Sequence, residues 1–318
     1  VKTAQYSDTQ ITAFKHTCAE ILSNIENTRE FTYPNIFNID RWWHTNQLIF
    51  LAKLKTAIWA IPDKTIQDLL KVAFCREIIV LSNASFSHVS TSFNDSEDCN
   101  EFTYDDGKLS FQSICNSIYE SLKKQPLMST RISLQNSTSV LSDDKEKFDT
   151  LITSPPYPNR ISYIRELRPY MYWLDFLHTA DDASNLDWNT IGGTWGSATS
   201  KLSTWEKKSN LLPDYLFSIA ENISKADNKS ADLMATYVLK YFDDIAMHIQ
   251  SVYNSICSGG TVHYIVGNSS FYGNTVPSEK LYADILTFVG FSNVKYEIVR
   301  KRNCNKALYE FWISAKKE

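Results

Sequence analysis

Four consecutive residues, Ser154-Pro155-Pro156-Tyr157, have the composition of a receptor for an exocyclic amine. They close the apolar run Phe148 to Thr153, which reads as a buried β-strand ending in a rigid turn. Proline lacks an N–H and has a fixed φ, so a diproline turn holds backbone carbonyls outward in one geometry. The Ser154 oxygen and the Pro155 carbonyl can each accept a hydrogen bond from a planar amino group. The Tyr157 ring can stack on the base that carries it. In open α/β sheets ligands bind at the carboxyl ends of strands, which is where this turn falls.

Other residues are candidates by position. Gly267, Asn268 and Ser269 follow the apolar strand Thr261 to Val266 and are expected to line a pocket at its carboxyl end. Arg160, Arg165 and Arg168 follow the diproline turn in one helical stretch and are expected to grip phosphates, with a solvated helix face containing Glu166 as the rival reading. Arg300, Lys301 and Arg302 form a second basic group with the same two readings. Trp42, Trp43 and His44 open a helix and read first as core. Trp188, Gly192, Gly193, Thr194, Trp195 and Gly196 read as an aromatic loop able to serve as a lid. The six Cys and six His show no metal-ligand spacing and no nucleophile pairing, so no metal is expected.

The elements that must position these residues fall into two textures. Three- and four-residue apolar spacing predicts helices over 8–27, 41–60, about 63–81 and 109–124, separated by an acidic loop at 94–106. From there strands alternate with helices: strands at 131–135, 148–153 and 261–266, helices at 161–177, 211–256 and 278–289, and two closing strands at 293–302 and 307–315. That alternation predicts a mostly parallel α/β sheet with an antiparallel hairpin appended at its edge.

With these residues in place, the chain resembles the amino-methylating DNA methyltransferases, in the Ser-Pro-Pro-Tyr variant that the family uses mostly for the N4 amine of cytosine. Asp-Pro-Pro-Tyr and Asn-Pro-Pro-Tyr forms are typical of adenine N6 methylation, so that enzyme is the nearest alternative. The resemblance covers roughly 127–317 and includes the polar turn within Arg131 to Ser139 and the order Gly259-Gly260, strand, helix, hairpin. It implies an S-adenosylmethionine cofactor contacted by Asn136, Ser137 and Thr153, and double-stranded DNA as partner. It further implies that Ser154, Pro155, Pro156 and Tyr157 act on a flipped base by positioning and electrostatics. The implied fold is a Rossmann-like class I methyltransferase sheet, with 1–27 at the start of the core, 28–125 as a helical insertion suited to target recognition, and 126–318 as the catalytic core.

Composition bears on this resemblance. The family holds its cofactor on a Phe-x-Gly-x-Gly loop, yet the 318 residues contain only nine glycines and no such loop. The opening Val1-Lys2-Thr3-Ala4 resembles the residues just after the second-strand acid in relatives, and Met does not occur before Met128. The expectation is therefore a split enzyme lacking its first strands, with a second polypeptide carrying the glycine loop. A non-catalytic DNA-binding scaffold subunit is the reading from another class, and an RNA methyltransferase a third. The balance of 32 basic and 36 acidic residues argues against a uniformly basic coat but permits a local basic face. No uncharged apolar run approaches the ~20 residues of a membrane span, and a cytoplasmic, nucleoid-associated prokaryotic protein is expected.

Overall fold

The structure is a computed structural model that describes residues 6–85, 92–93, 102–124, 131–139, 142–159, 162–193, 200–302 and 308–318. The chain divides into two compact units. One comprises Val1–Ser133 with Glu166–Asp182, the other Leu134–Arg165 with Ala183–Glu318.

The first unit is helical. Helix α1 (Asp8–Asn24) starts at a capping box in which the Ser7 side chain accepts from Gln10 N and the Gln10 side chain accepts from Ser7 N. Helix α2 (Thr45–Trp59) ends before Pro62, and its last carbonyls are taken by the buried Gln67 amide, which donates to Ile58, Trp59 and Ile61. Asp63 caps α3 (Lys64–Val80), accepting from Thr65 N and Ile66 N at 2.8 and 3.2 Å. Thr103 and Asp106 form a second capping box that starts α4 (Tyr104–Leu122) five residues before the expected Leu109. The carboxylates at the end of the acidic run are thus the helix start signal, while residues 94–101 lie outside the described residues.

One apolar core runs through this unit, from Phe14 of α1 through Leu51, Phe74 and Phe111 to Trp173. Helix α1 shares that core with the helices of 28–125, and no break in packing marks residue 27. Glu77 is buried among these side chains. Ser110 donates to one of its oxygens at 2.8 Å, and burial pushes its carboxyl up to about 7.

The second unit is built on a mixed sheet of β1 (Phe148–Thr153), β2 (Ile256–Gly267), β3 (Ser292–Lys301) and β4 (Tyr309–Lys316). Its order is β1-β2-β4-β3. β1 runs parallel to β2, and β4 is antiparallel to both β2 and β3. The protein is therefore mixed α/β, but the sheet is not mostly parallel. The final strand pairs directly with β2, which places the closing hairpin's inner strand inside the sheet.

Helices α7 (Asp214–Ser224), α8 (Ala231–Ser255) and α9 (Ser278–Val289) share one core with the sheet. Strand periodicity of two sorts the side chains: Val262, Tyr264 and Val266 of β2 and Phe311, Ile313 and Ala315 of β4 are buried in that core. Thr261, His263 and Ile265 alternate with them and are only half-buried. The expected 211–256 helix is two helices. The break falls at the polar run Lys225 to Ser230, where Asn228 accepts from Ser230 N through its side chain. α5 (Tyr163–Trp173) and α6 (Ala180–Asn189) complete the described helices of eight or more residues.

Two strand expectations change. β1 exists, but it is an edge strand among the described residues, and Ile152 is 79% exposed, so it is not the buried strand its composition suggested. Residues 131–135 form no strand, and Ile132 and Leu134 are exposed. A strand is an interstrand hydrogen-bond ladder, and this segment has no ladder partner among the described residues.

Candidate functional site

The motif sits where β1 stops and β2 continues. The last β1–β2 pair is Thr153 with Tyr264, so the next β2 carbonyl, Ile265 O, has no β1 amide opposite it. Ser154 Oγ fills that place, donating to Ile265 O at 3.2 Å. A hydroxyl has one proton and two lone pairs, so toward any other ligand Ser154 is left as an acceptor. Pro155 is buried and Ser154 exposed. The Pro156 carbonyl accepts from Tyr241 Oη of α8 at 2.6 Å, and Tyr241 in turn meets Tyr282 Oη of α9 at 2.9 Å. Burial raises both phenols well above their ordinary range, so they remain protonated donors.

The Tyr157 ring lies against Gly267. A Cβ at residue 267 would stand 2.8 Å from Tyr157 Cδ2, so glycine is required there by close approach. The Arg302 guanidinium lies 5.7 Å from the Tyr157 ring centroid, and its Nη1 donates to Asn268 O at 3.2 Å. Asn268 is itself fixed, its Oδ1 accepting from Tyr309 N at 2.8 Å. Four expected residues, Tyr157, Gly267, Asn268 and Arg302, thus gather at one corner. Ser269 follows at the start of a small hairpin of Ser269–Phe271 and Asn274–Val276, buried, with its Oγ lacking a partner among the described residues.

The expected cofactor residues are elsewhere in this unit. Asn136 and Ser137 are exposed in a turn closed by Asn136 Oδ1, which accepts from Thr138 N and Thr138 Oγ1 at 3.0 and 2.8 Å. Ser137 O is 3.1 Å from His248 Nδ1, and His248 Nε2 is 3.2 Å from Tyr264 Oη. A carbonyl only accepts, so Nδ1 carries the proton and Nε2 accepts from Tyr264. Burial holds this imidazole below its ordinary pKa, and the neutral form is the one that ties the turn to the sheet. A cavity of about 440 Å³ opens beside the turn, walled by Asn136, Thr138, Trp188, Lys240 and Asp244 among others and by no residue of the motif. Lys240 pairs with Asp244 at 2.6 Å and lies over the Trp188 ring. Thr153 ends β1, half-buried.

Of the basic candidates, Arg165 and Arg168 lie three residues apart on α5, the helical stretch expected, and Arg300 and Lys301 end β3. Arg160 lies outside the described residues. Arg165 belongs to the sheet unit, at the start of a helix whose Ser162 accepts from Arg165 N and donates to the buried Asp187 at 2.5 Å. Arg168 belongs to the helical unit. Arg300 makes a bidentate pair with Glu310 at 2.5 and 3.1 Å, whereas Lys301 is exposed.

Trp43 is fully buried, donates to Ile78 O at 2.9 Å and packs edge-to-face on Trp173, a core role, while Trp42 and His44 are half-buried. Gly192 and Gly193 are buried, and a Cβ at Gly193 would overlap Asp187 O at 1.8 Å. Thr194, Trp195 and Gly196 lie outside the described residues.

Tyr241 and His248 are the supports that sequence reasoning passed over. Both sit on one long apolar helix, where nothing but the fold distinguishes them from core aromatics. Among the described residues no cluster of three or more His, Cys, Asp or Glu stands ready for a metal ion, and no helix is long and apolar enough to cross a membrane. Compared with protein-family models, curated proteins and solved structures, the chain matches none.

Proposed function

We propose that this chain is the base-receiving part of an S-adenosylmethionine-dependent DNA amino-methyltransferase with a Rossmann-like core, acting on the N4 amine of cytosine. The observation that carries the reading is the donor balance at the motif. The Ser154 proton is committed to Ile265 O, so Ser154 offers an acceptor beside the Tyr157 ring, as an amino group on a stacked base requires.

The chain's own residues account for binding and orientation of the base. Ser154 Oγ and the Pro155 carbonyl accept the two amino protons, which draws the nitrogen lone pair out of conjugation and holds it in one direction. Tyr157 stacks on the base and offsets part of the unstacking cost of flipping it, a few kcal/mol. Tyr241 holds the diproline turn rigid from behind.

The residues around Asn136 do not make an S-adenosylmethionine site by themselves. Asn136 Oδ1 is already engaged by Thr138, and the neighbouring cavity excludes the motif. No step of the reaction is therefore assigned to them. This mismatch, with the exposed edge of β1 and the segment 131–135, which forms no strand ladder among the described residues, supports a second segment or polypeptide that carries the glycine loop and adds strands to the sheet. On this reading the enzyme modifies double-stranded DNA in a prokaryotic cytoplasm, as in restriction and modification.

The test is to express the chain with its complementing segment and sequence exposed DNA by a method that separates N4-methylcytosine from N6-methyladenine. N4-methylcytosine that disappears in Ser154→Ala is the expected result. N6-methyladenine would transfer the reading to adenine. Methylation unaffected by Ser154→Ala, or DNA binding without methylation, would leave the chain a scaffold.

A further inference from the structure

We infer that Arg302 is a positioning residue of the base pocket: its guanidinium covers the Tyr157 ring and gives way when the target base stacks there. The inference rests on the amine-receptor reading of the motif and adds to it a residue that the sequence left between phosphate binding and a solvated face.

Three observations carry it. A bulge in β3 skips Val299: Ile298 pairs with Phe311, and Arg300 pairs with the next residue of β4, Glu310. Without the bulge, Arg300 and Arg302 would share the face of Ile298. With it they turn to the face of Gly267, which pairs with Glu310. Second, Arg302 is tied at that place, its N donating to Leu308 O at 2.9 Å and its Nη1 to Asn268 O at 3.2 Å. Third, Gly267 brings the Tyr157 ring and Arg302 Nη1 to one point, within 2.8 and 3.5 Å of a notional Cβ. Its neighbour Lys301 pairs with Tyr309 and is exposed.

A guanidinium is planar and weakly hydrated, so it stacks on an aromatic face much as a base does; an ammonium does not. A base entering the corner meets this occupant first, and the ring is kept at one angle until it arrives.

The experiment uses the cofactor-complete enzyme on unmethylated DNA containing its target sequence. Arg302→Ala is expected to lower the single-turnover methylation rate about tenfold at saturating DNA, with the salt slope of DNA binding unchanged. Arg302→Lys is expected not to restore the rate. Lys301→Ala, by contrast, is expected to lower the salt slope by about one. Rescue by lysine, or a slope loss in Arg302→Ala equal to that of Lys301→Ala, would make Arg302 a backbone phosphate contact and overturn the inference. An independent readout needs no activity: nitration of Tyr157 by tetranitromethane, mapped by mass spectrometry, should rise in Arg302→Ala. Unchanged nitration would also overturn it. Absence of methylation by the wild-type enzyme, with the nitration difference intact, would overturn the functional reading and leave Arg302 as the cover of Tyr157.

Discussion

Along one margin of β1 the backbone pairs with β2 from Phe148 to Thr153, and the chain leaving its end is held by Ser154, Tyr241 and Gly267. Along the other margin β1 has no strand partner among the described residues, and Ile152 is exposed. The furnished margin has its polar groups committed in a pattern that leaves an acceptor for an amine. The bare margin exposes Phe148 and Ile152, with Asp149 and the register irregularity between Phe148 and Thr150 as its edge-shielding features. On the proposed function, the contrast would make base reception and cofactor retention separable, with these residues supplying the first.

The largest expected effect strikes the furnished margin. Ser154→Ala should reduce methyl transfer by the cofactor-complete enzyme about 100-fold, read as single-turnover rate, while DNA binding persists. An unreduced rate would break the comparison outright, because the committed acceptor would then have no task. Tyr241→Phe removes the donor to the Pro156 carbonyl and should cost about 1 to 2 kcal/mol of stability. Urea denaturation measures this, and a cost near zero would mean that the diproline turn does not depend on its support.

The tie between the turn at Ser137 and Tyr264 of β2 is probed by pH. Burial lowers the folded pKa of His248, so its contribution to stability is fully present above the unfolded value of about 6.5 and is lost as pH falls below it toward the folded value. The urea midpoint of the wild type relative to His248→Gln should therefore fall between about pH 7.5 and 5.5, a difference in which the opposite titration of Glu77 cancels. An equally steep dependence in the variant would assign it to other groups. The smallest effect is expected for Ile152→Lys, which should change the stability of the isolated chain by less than about 0.5 kcal/mol yet block assembly with the complementing segment, read by co-purification. Intact assembly would show that β1 is a true edge.

Much of the molecule was legible in its residues. Apolar spacing located helices α1, α3 and α9, and the alternation in Thr261 to Val266 announced the central strand, because both signals depend on neighbours in the chain. The turn that ends the strand Phe148 to Thr153 was legible for the same reason: two locked φ angles act locally. What failed was whatever needed a partner. The run at 131–135 has strand composition and no strand, β1 is apolar and yet exposed, and Thr103 with Asp106 moved a helix start into what had read as a loop.

By itself the sequence determined most of the helices and the central strand, since apolar periodicity is a property of short segments. Only the tertiary structure decided that β4 enters the sheet beside β2, that Ser154 spends its proton on Ile265 and that a bulge turns Arg302 onto Tyr157. Those facts depend on register between strands distant in the chain, and register is set by packing of the whole sheet.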